Sequence, residues 1–536
     1  MSDHHDDHEP VYYTPLGHDR GVYYYHNAGS QQIVEMTPAQ HTEPNLRALA
    51  PAKFWEREYQ AKSGADYKAA AQAMIEACHR RGIFDRTRIR GRGAWFDDGR
   101  CVLHLGDRIV IGKDSYMPAA VPSKFHYEAG HPLEADLSAP LDNAQAHAFY
   151  QLVEMLPWER KRFATLLAGW CVCAHIGGVL RWRPHVWVIG RKGSGKTYVM
   201  SNIVDRVLGE NRLFVQSDTS EAGIRQELGG DSLPVMFDEA EGTDHRSIGR
   251  LQSVLGLVRQ SSSETGGRIV KGSTSGKSVH YSIRSCFAFS SINSSLMQES
   301  DNSRVSVLEL NQDYSKHPFD EIVRAGDELF RDGYIESFYA RAIKLAPIIR
   351  ENAKTFASAV AIVLNEQRAG DQMGALLAGA YSLHSQKIIT PEKAREWVLE
   401  QDWTEERTEV NGQSDERSLL HYLYSQTLKF RPSSTGVHSD VPIGVLIDAA
   451  ANRIDNPLEY PAAQAQQALN YAGIKIDGEE VYISNTSSTI KRLLANTPWS
   501  TNHSRVLKRL PGARASGGPV YFGHRGSEAR STIIPL

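Results

Sequence analysis

The segment Gly190-Arg191-Lys192-Gly193-Ser194-Gly195-Lys196-Thr197 limits what this chain can fold into more than any other stretch. An apolar run, Val186 to Ile189, leads into it, and Val199, Met200, Ile203, Val204, Val207 and Leu208 follow at helical spacing until Gly209. Strand, glycine-rich turn and helix start together read as a phosphate-binding loop. Glycines let successive backbone N–H groups curl round phosphates, the lysine offsets charge on the β- and γ-phosphates, and the terminal hydroxyl holds Mg²⁺. Gly190, Gly193, Ser194, Gly195, Lys196 and Thr197 are therefore the expected contacts of a bound nucleoside triphosphate, with Thr197 on the metal.

From 181 to 312, strand-like and helix-like stretches alternate, as a parallel nucleotide-binding sheet requires. Leu213 to Val215 reads as a strand, 221 to 228 as a helix closed by Gly229-Gly230, and Leu233 to Phe237 as a buried strand with proline only near its start. That strand ends in Asp238-Glu239, which suits Asp238 to hold Mg²⁺ through water and Glu239 to orient and polarise an attacking water. A helix is expected over 246 to 260. The next stretch, 267 to 281, has two short strand-like runs about a small turn and carries Arg268, Lys271, Lys277 and His280. It reads either as a hairpin offering charge and donors to a nucleic-acid backbone or as an ordinary solvated hairpin. Cys286 to Asn293 reads as a core strand ending in an asparagine that either senses a γ-phosphate or stabilises a turn. Arg304, just ahead of the strand Val305 to Leu310, reads either as a finger reaching a neighbouring subunit's nucleotide or as a surface ion pair.

A length of 536 residues with 41% hydrophobic content allows about three or four core-forming domains, and the formal charge of −3 leaves the class of partner open. The five cysteines are scattered and lack zinc-knuckle spacing, so reduced, buried thiols in a cytoplasmic protein are expected. The polar start, MSDHHDDHEP, is no secretory signal and reads as a solvated tail rather than a metal site. Phe163 to Leu180 nears spanning length, but its His175 and Gly177-Gly178 favour a helix buried under the nucleotide domain over a membrane span. Aromatics between Tyr12 and Tyr59 fill a small β-rich core or stack on bases. A helix over 65 to 80 precedes Arg80, Arg81, Arg86, Arg88, Arg90 and Arg92, a phosphate-contacting face or a merely solvated one. Trp95 to Leu105 reads as a hairpin about Asp98-Gly99. Pro157 is expected in the first turn of the second of two helices.

The order of phosphate loop, Asp238-Glu239, basic hairpin, Asn293 and Arg304 resembles the AAA+ ATPases, and within them the superfamily 3 helicases of phages, plasmids and small viruses. The chain looks most like their primase-helicase or replication-initiator ATPases. The resemblance implies ATP and Mg²⁺ as cofactors, Lys196, Glu239, Asn293 and Arg304 as catalytic residues, Asp238 and Thr197 on the metal, and the 267 to 281 hairpin as a DNA-translocating element. It also implies a homo-hexameric ring on single-stranded DNA. A primase domain accompanies some members, but residues 1 to 135 are short for one and primer synthesis is not expected.

The organisation expected is an α/β chain: a small α+β N-terminal domain (1–135), a helical collar (136–180), the AAA+ P-loop core of parallel sheet and helices (181–316), a helical domain (317–411) and a C-terminal winged-helix-like basic domain (412–536). The last rests on helix-like stretches at 415 to 428, 441 to 452 and 460 to 472 followed by a hairpin about Asp477-Gly478. From 481 onward eight basic residues, Lys508 and Arg509 among them, face the single acid Glu528, a composition that suits DNA or a subunit contact. The function expected is an ATP-hydrolysing DNA helicase or replication initiator of a mobile element. A DNA-binding switch ATPase without unwinding activity is the second reading and a small-molecule kinase the third.

Overall fold

The strand before the phosphate loop, β10 (His185–Gly190), lies inside a five-stranded parallel sheet in the computed structural model, which describes residues 11–536 except 217, 241–244, 264–268, 273–277, 282, 295, 297–298, 404–414, 433–437, 455, 496, 498 and 524–526. Two units make up the chain, Met1–Asp402 and Trp403–Leu536.

The first unit opens with an antiparallel sheet of β1 (Tyr13–Asp19), β2 (Val22–Asn27) and β3 (Ile33–Met36), covered by α1 (Glu43–Leu49), α2 (Ala52–Glu58) and α3 (Tyr67–Arg81). The aromatics of this region make its core: Tyr25 and Trp55 are fully buried, and Tyr13 stacks on Trp55 at 5.7 Å. Asp66 caps α3 by accepting from the N–H groups of Lys68 and Ala69, and Gly82 ends it. A short strand β4 (Ile89–Arg90) precedes a meander of β5 (Gly93–Asp97), β6 (Arg100–His104), β7 (Ile109–Ile111) and β8 (Asp114–Tyr116), after which β9 (His126–Tyr127) pairs with β4. Asp98 at φ +52° and Gly99 at φ +80° form the two-residue turn of the β5–β6 hairpin.

Two of the arginines read as a phosphate face are structural instead. Arg90 is buried, donates through Nε and Nη2 to Asp97 and lies 4.0 Å from the Phe125 ring centroid. Arg92 grips Asp231 through its backbone N–H, Nε and Nη2 at 2.6 to 2.9 Å, tying this region to the parallel sheet. A guanidinium withdrawn from water, fully for Arg90 and partly for Arg92, needs a paired carboxylate, and both have one.

α4 (Asn143–Glu154) starts at Asp142, which exchanges capping hydrogen bonds with Gln145, and α5 (Lys161–Ala174) follows. Pro157 does not begin α5, contrary to the sequence expectation. It sits four residues ahead, where its carbonyl accepts from the Asn311 N–H (2.7 Å) and the Glu159 N–H donates to the Glu309 carbonyl (3.0 Å). The segment thus covers the exposed edge of the parallel sheet. Every residue of α5 from Arg162 to Ala174 is buried, and no helix among the described residues is long and apolar enough to cross a membrane.

After β10, α6 (Lys196–Tyr198) continues through a π-helical stretch (Val199–Val204) into α7 (Asp205–Leu208). Then come β11 (Leu213–Val215), α8 (Glu221–Leu228), β12 (Val235–Phe237), α9 (His245–Ser261), the antiparallel pair β13 (Ile269–Gly272) and β14 (Ser278–Tyr281), β15 (Phe287–Ser291), α10 (Glu299–Asn302) and β16 (Val305–Leu310). The parallel sheet has the order β11-β12-β15-β10-β16. Its central strands are buried apolar runs, as helices on both faces demand, and Trp187 stacks on Phe289 at 4.9 Å. Helices α11 (Phe319–Leu329), α12 (Tyr334–Leu364), α13 (Gln367–Ser382) and α14 (Pro391–Leu399) complete the unit, the last capped by Thr390 with Pro391 in its first turn.

In the second unit, helices Asp415–Ser425, Ile443–Ala450 and Ala462–Ala472 precede a hairpin of Ile474–Asp477 and Glu480–Ser484, which Ser531–Pro535 and Arg514–Ala515 extend to a four-stranded sheet. Leu419, Leu446, Leu469, Ile474, Val481 and Ile534 share its core. The first helix is shorter than the 415 to 428 expected. Thr427–Phe430 leaves helical geometry to pair with Ser439–Pro442, which buries Phe430 and Val441.

Candidate active site

Parallel strands deliver their C-terminal ends to one edge of a sheet, and this edge collects the residues of interest. Gly190 ends β10, Asp238 and Glu239 follow β12, and Asn293 follows β15, the strand lying between those two. The register fixes their common level: Ile189 pairs with Ser291, and Phe237 with Phe289.

The loop's backbone needs its glycines. Gly195 sits at φ +85°, and a Cβ there would run into the Tyr314 hydroxyl. That hydroxyl donates to the Ser194 carbonyl (3.0 Å), while the Gln312 side-chain amide donates to the Lys192 carbonyl (2.6 Å). The two residues beyond β16 therefore hold the loop from the side, and burial pushes the Tyr314 phenol above its ordinary pKa, keeping it a donor. Sequence reasoning missed this buttress, because no motif marks a residue that meets the loop only through sheet packing. Lys196 Nζ turns back onto the Gly190 carbonyl (2.5 Å) and the Arg191 carbonyl (3.2 Å). Ser194 Oγ is buried without a hydrogen-bond partner among the described residues.

Asp238 is oriented by Ser290 Oγ (2.5 Å) and by the Glu239 N–H (3.0 Å), both donating to Oδ1. Glu239 adopts φ +52°, a conformation uncommon outside glycine, and its side chain is exposed where the chain turns off the sheet. Behind Asn293, Trp187 Nε1 donates to Ser291 Oγ (2.6 Å), which donates to the Asn293 carbonyl (2.6 Å), while Asn293 itself is exposed. The loop's backbone N–H groups and Lys196 suit an oligophosphate. The Thr197 hydroxyl and the Asp238 carboxylate are the hard oxygen donors that a magnesium ion on that phosphate takes. Beside the loop's anchoring segment lies a cavity of about 490 Å³ lined by Met155, Trp158, Asn311, Asp313 and Lys316, with room for a flat base.

Arg304 is not brought to this edge. It precedes Val305, which pairs with His185 at the start of β10, so the length of β16 separates it from its own loop, roughly 17 Å at about 3.3 Å per residue. Its guanidinium lies 6.0 Å from the Trp182 ring centroid, and burial, then Arg368 and Arg259, lowers its pKa. Asp301, buried and paired with Arg259, acts in the opposite direction.

Of the residues expected to touch DNA, Arg268 and Lys277 lie outside the described residues. Lys271 and His280 stand on the facing strands β13 and β14, in register with Val279 and Val270 respectively, and their side chains too lie outside what is described. Lys508 and Arg509 are exposed just after the helix His503–Leu507, with Arg509 3.5 Å from Asp415.

No protein-family model and no curated protein sequence matches the chain. Among solved structures, one described as the SCCmec type IV Cch active helicase superposes with a TM-score of 0.50 at 12% identity, over 97% of this chain and 92% of its own. The fold is helicase-like. The NrS-1 C-terminal region covers 96% of this chain and 94% of its own, at 11% identity and a TM-score of 0.36, too loose a likeness to bear on the site.

Proposed function

We propose that the chain is an ATP-hydrolysing DNA helicase or replication initiator of a mobile element, working as a homo-hexameric ring on single-stranded DNA. The observation that carries the reading is the gathering of the phosphate loop, Asp238-Glu239 and Asn293 on one edge of a helicase-like sheet. Within it, Lys196 leaves the loop carbonyls for the β- and γ-phosphates, and Thr197 and Asp238 hold Mg²⁺, which spreads the charge of the transferring phosphoryl group when bound. Glu239 orients the attacking water, and Asn293 touches the γ-phosphate. Arg304, far from its own loop, acts on the nucleotide of the neighbouring subunit, where the positive charge it shares with Arg259 and Arg368 suits a triphosphate. The β13–β14 ribbon and the winged-helix-like second unit, with Lys508 and Arg509, contact DNA.

Strand displacement on a forked duplex, alongside ATPase with and without single-stranded DNA, tests this. Displacement that needs ATP and disappears in Lys196→Ala is expected. DNA-stimulated hydrolysis without displacement would replace the helicase by a switch ATPase.

A further inference from the structure

A second cavity, of about 300 Å³, lies in the N-terminal region away from the phosphate loop, between β1, β2, the end of α3 and the segment leading into β9. Pro15, Pro122, Phe125 and Tyr127 contribute rings to its walls, beside a polar share that slightly exceeds the apolar one. Apart from Arg81, its polar side chains are hydroxyls and imidazoles. His26 is buried at 6% exposure, and its Nε2 has no hydrogen-bond partner among the described residues. Burial lowers the His26 pKa against the opposing effect of the Tyr127 backbone, and His126 is lowered by burial, then by His26 and Arg88. No carboxylate is among the described lining residues, and Arg81, exposed in the last turn of α3, is the charged one. Arg80 beside it is exposed, and Arg88, 3.8 Å from Asp85, lies close enough to act on His126.

Rings in the walls, an unsatisfied neutral imidazole and an exposed arginine at the mouth describe a receptor for a flat, neutral heterocycle carrying a negative charge outside the cavity. We propose that this cavity takes one unpaired nucleotide of a single-stranded nucleic acid, with the base between the rings and against His26 Nε2, and with its phosphate at Arg81. Arg80 and Arg88 then lie where flanking phosphates pass. This site does not depend on the ATPase reading, since none of its residues belongs to the loop edge.

The test is photocross-linking of the full chain, without ATP, to a single-stranded oligonucleotide carrying 5-iododeoxyuridine, with the adduct mapped by mass spectrometry. An adduct on the peptide that begins at Phe125 is expected. Thr14→Trp, which fills the cavity from an exposed strand position, and Arg81→Glu, which reverses the rim charge, should each weaken that adduct tenfold or more. A thermal melt of each variant separates blocking from unfolding. Adducts confined to the β13–β14 ribbon or the second unit overturn the proposal, as does an adduct unchanged in both variants. Competition with dTMP as effective as with an equal nucleotide concentration of oligomer overturns the strand and leaves a free mononucleotide as the ligand. A Lys196→Ala chain without ATPase that still forms the adduct separates this site from the motor.

Discussion

At the residue scale, the loop edge makes separable predictions. Under the role proposed for Glu239, Glu239→Gln removes the water-polarising carboxylate but keeps the side chain's shape, so ATP should still bind while turnover falls by about 10²–10⁴-fold; filter binding beside a phosphate-release assay reads both, and a normal rate would remove Glu239 from that role. Tyr314→Phe takes away one hydrogen bond to the Ser194 carbonyl, worth about 1 kcal/mol. It should weaken nucleotide binding roughly fivefold, which titration with a fluorescent ATP analogue measures. Gly195→Ala places a methyl group against that same hydroxyl at φ +85° and should abolish binding. The glycines and Lys196 were legible in the sequence because their spacing is local. Tyr314 and Gln312 were not, since only the parallel pairing of β16 with β10 brings them to the loop. Arg90 and Arg92 misled for the complementary reason: a run of arginines looks solvated until Asp97 and Asp231 are folded against it.

At the element scale, α5 shows how an apolar run can be read correctly in kind and wrongly in extent. Its composition marked burial, and the structure ends the helix at Ala174, well short of Leu180. What composition does not carry is the contact that buries it. Gly169 faces α13 so closely that a Cβ would strike the Leu376 carbonyl, and a Cβ on Gly379 would strike the Gly169 carbonyl in return. Gly169→Leu should therefore destabilise the first unit by about 3 kcal/mol or more, since the obstacle is backbone and cannot move aside; urea unfolding followed by circular dichroism measures it. The strands and hairpins were legible from turn residues such as Asp98-Gly99, whereas Thr427–Phe430 was not, because its partner Ser439–Pro442 lies beyond a loop and strand pairing is a tertiary fact.

At the scale of the whole molecule, buried neutral histidines set an acid limit. Burial lowers His104, His175 and His384 to about 4 and His185 to about 3, all within Met1–Asp402. His185 Nδ1 accepts from the Phe287 N–H (3.1 Å), a bond that a proton there would forbid. Because each folded pKa lies below the unfolded value near 6.5, the unfolded chain takes up protons first. Stability is thus full above pH 6.5 and falls as pH drops towards 4, each histidine costing up to about 1.4 kcal/mol for every pH unit crossed between its unfolded and folded pKa. Urea midpoints at pH 7 and pH 5 should show the loss. Assembly offers the sharper test. If Arg304 serves a neighbour, then Arg304→Ala and Glu239→Gln disable different halves of a shared site, and neither chain alone should hydrolyse ATP at more than a trace. Mixing the two creates interfaces that pair an intact Glu239 edge with an intact Arg304, so activity should reappear in the mixture and rise to a maximum at intermediate ratios. A mixture no more active than its components would confine Arg304 to its cluster with Arg259, Arg368 and Asp301, and would make hydrolysis a property of the single chain.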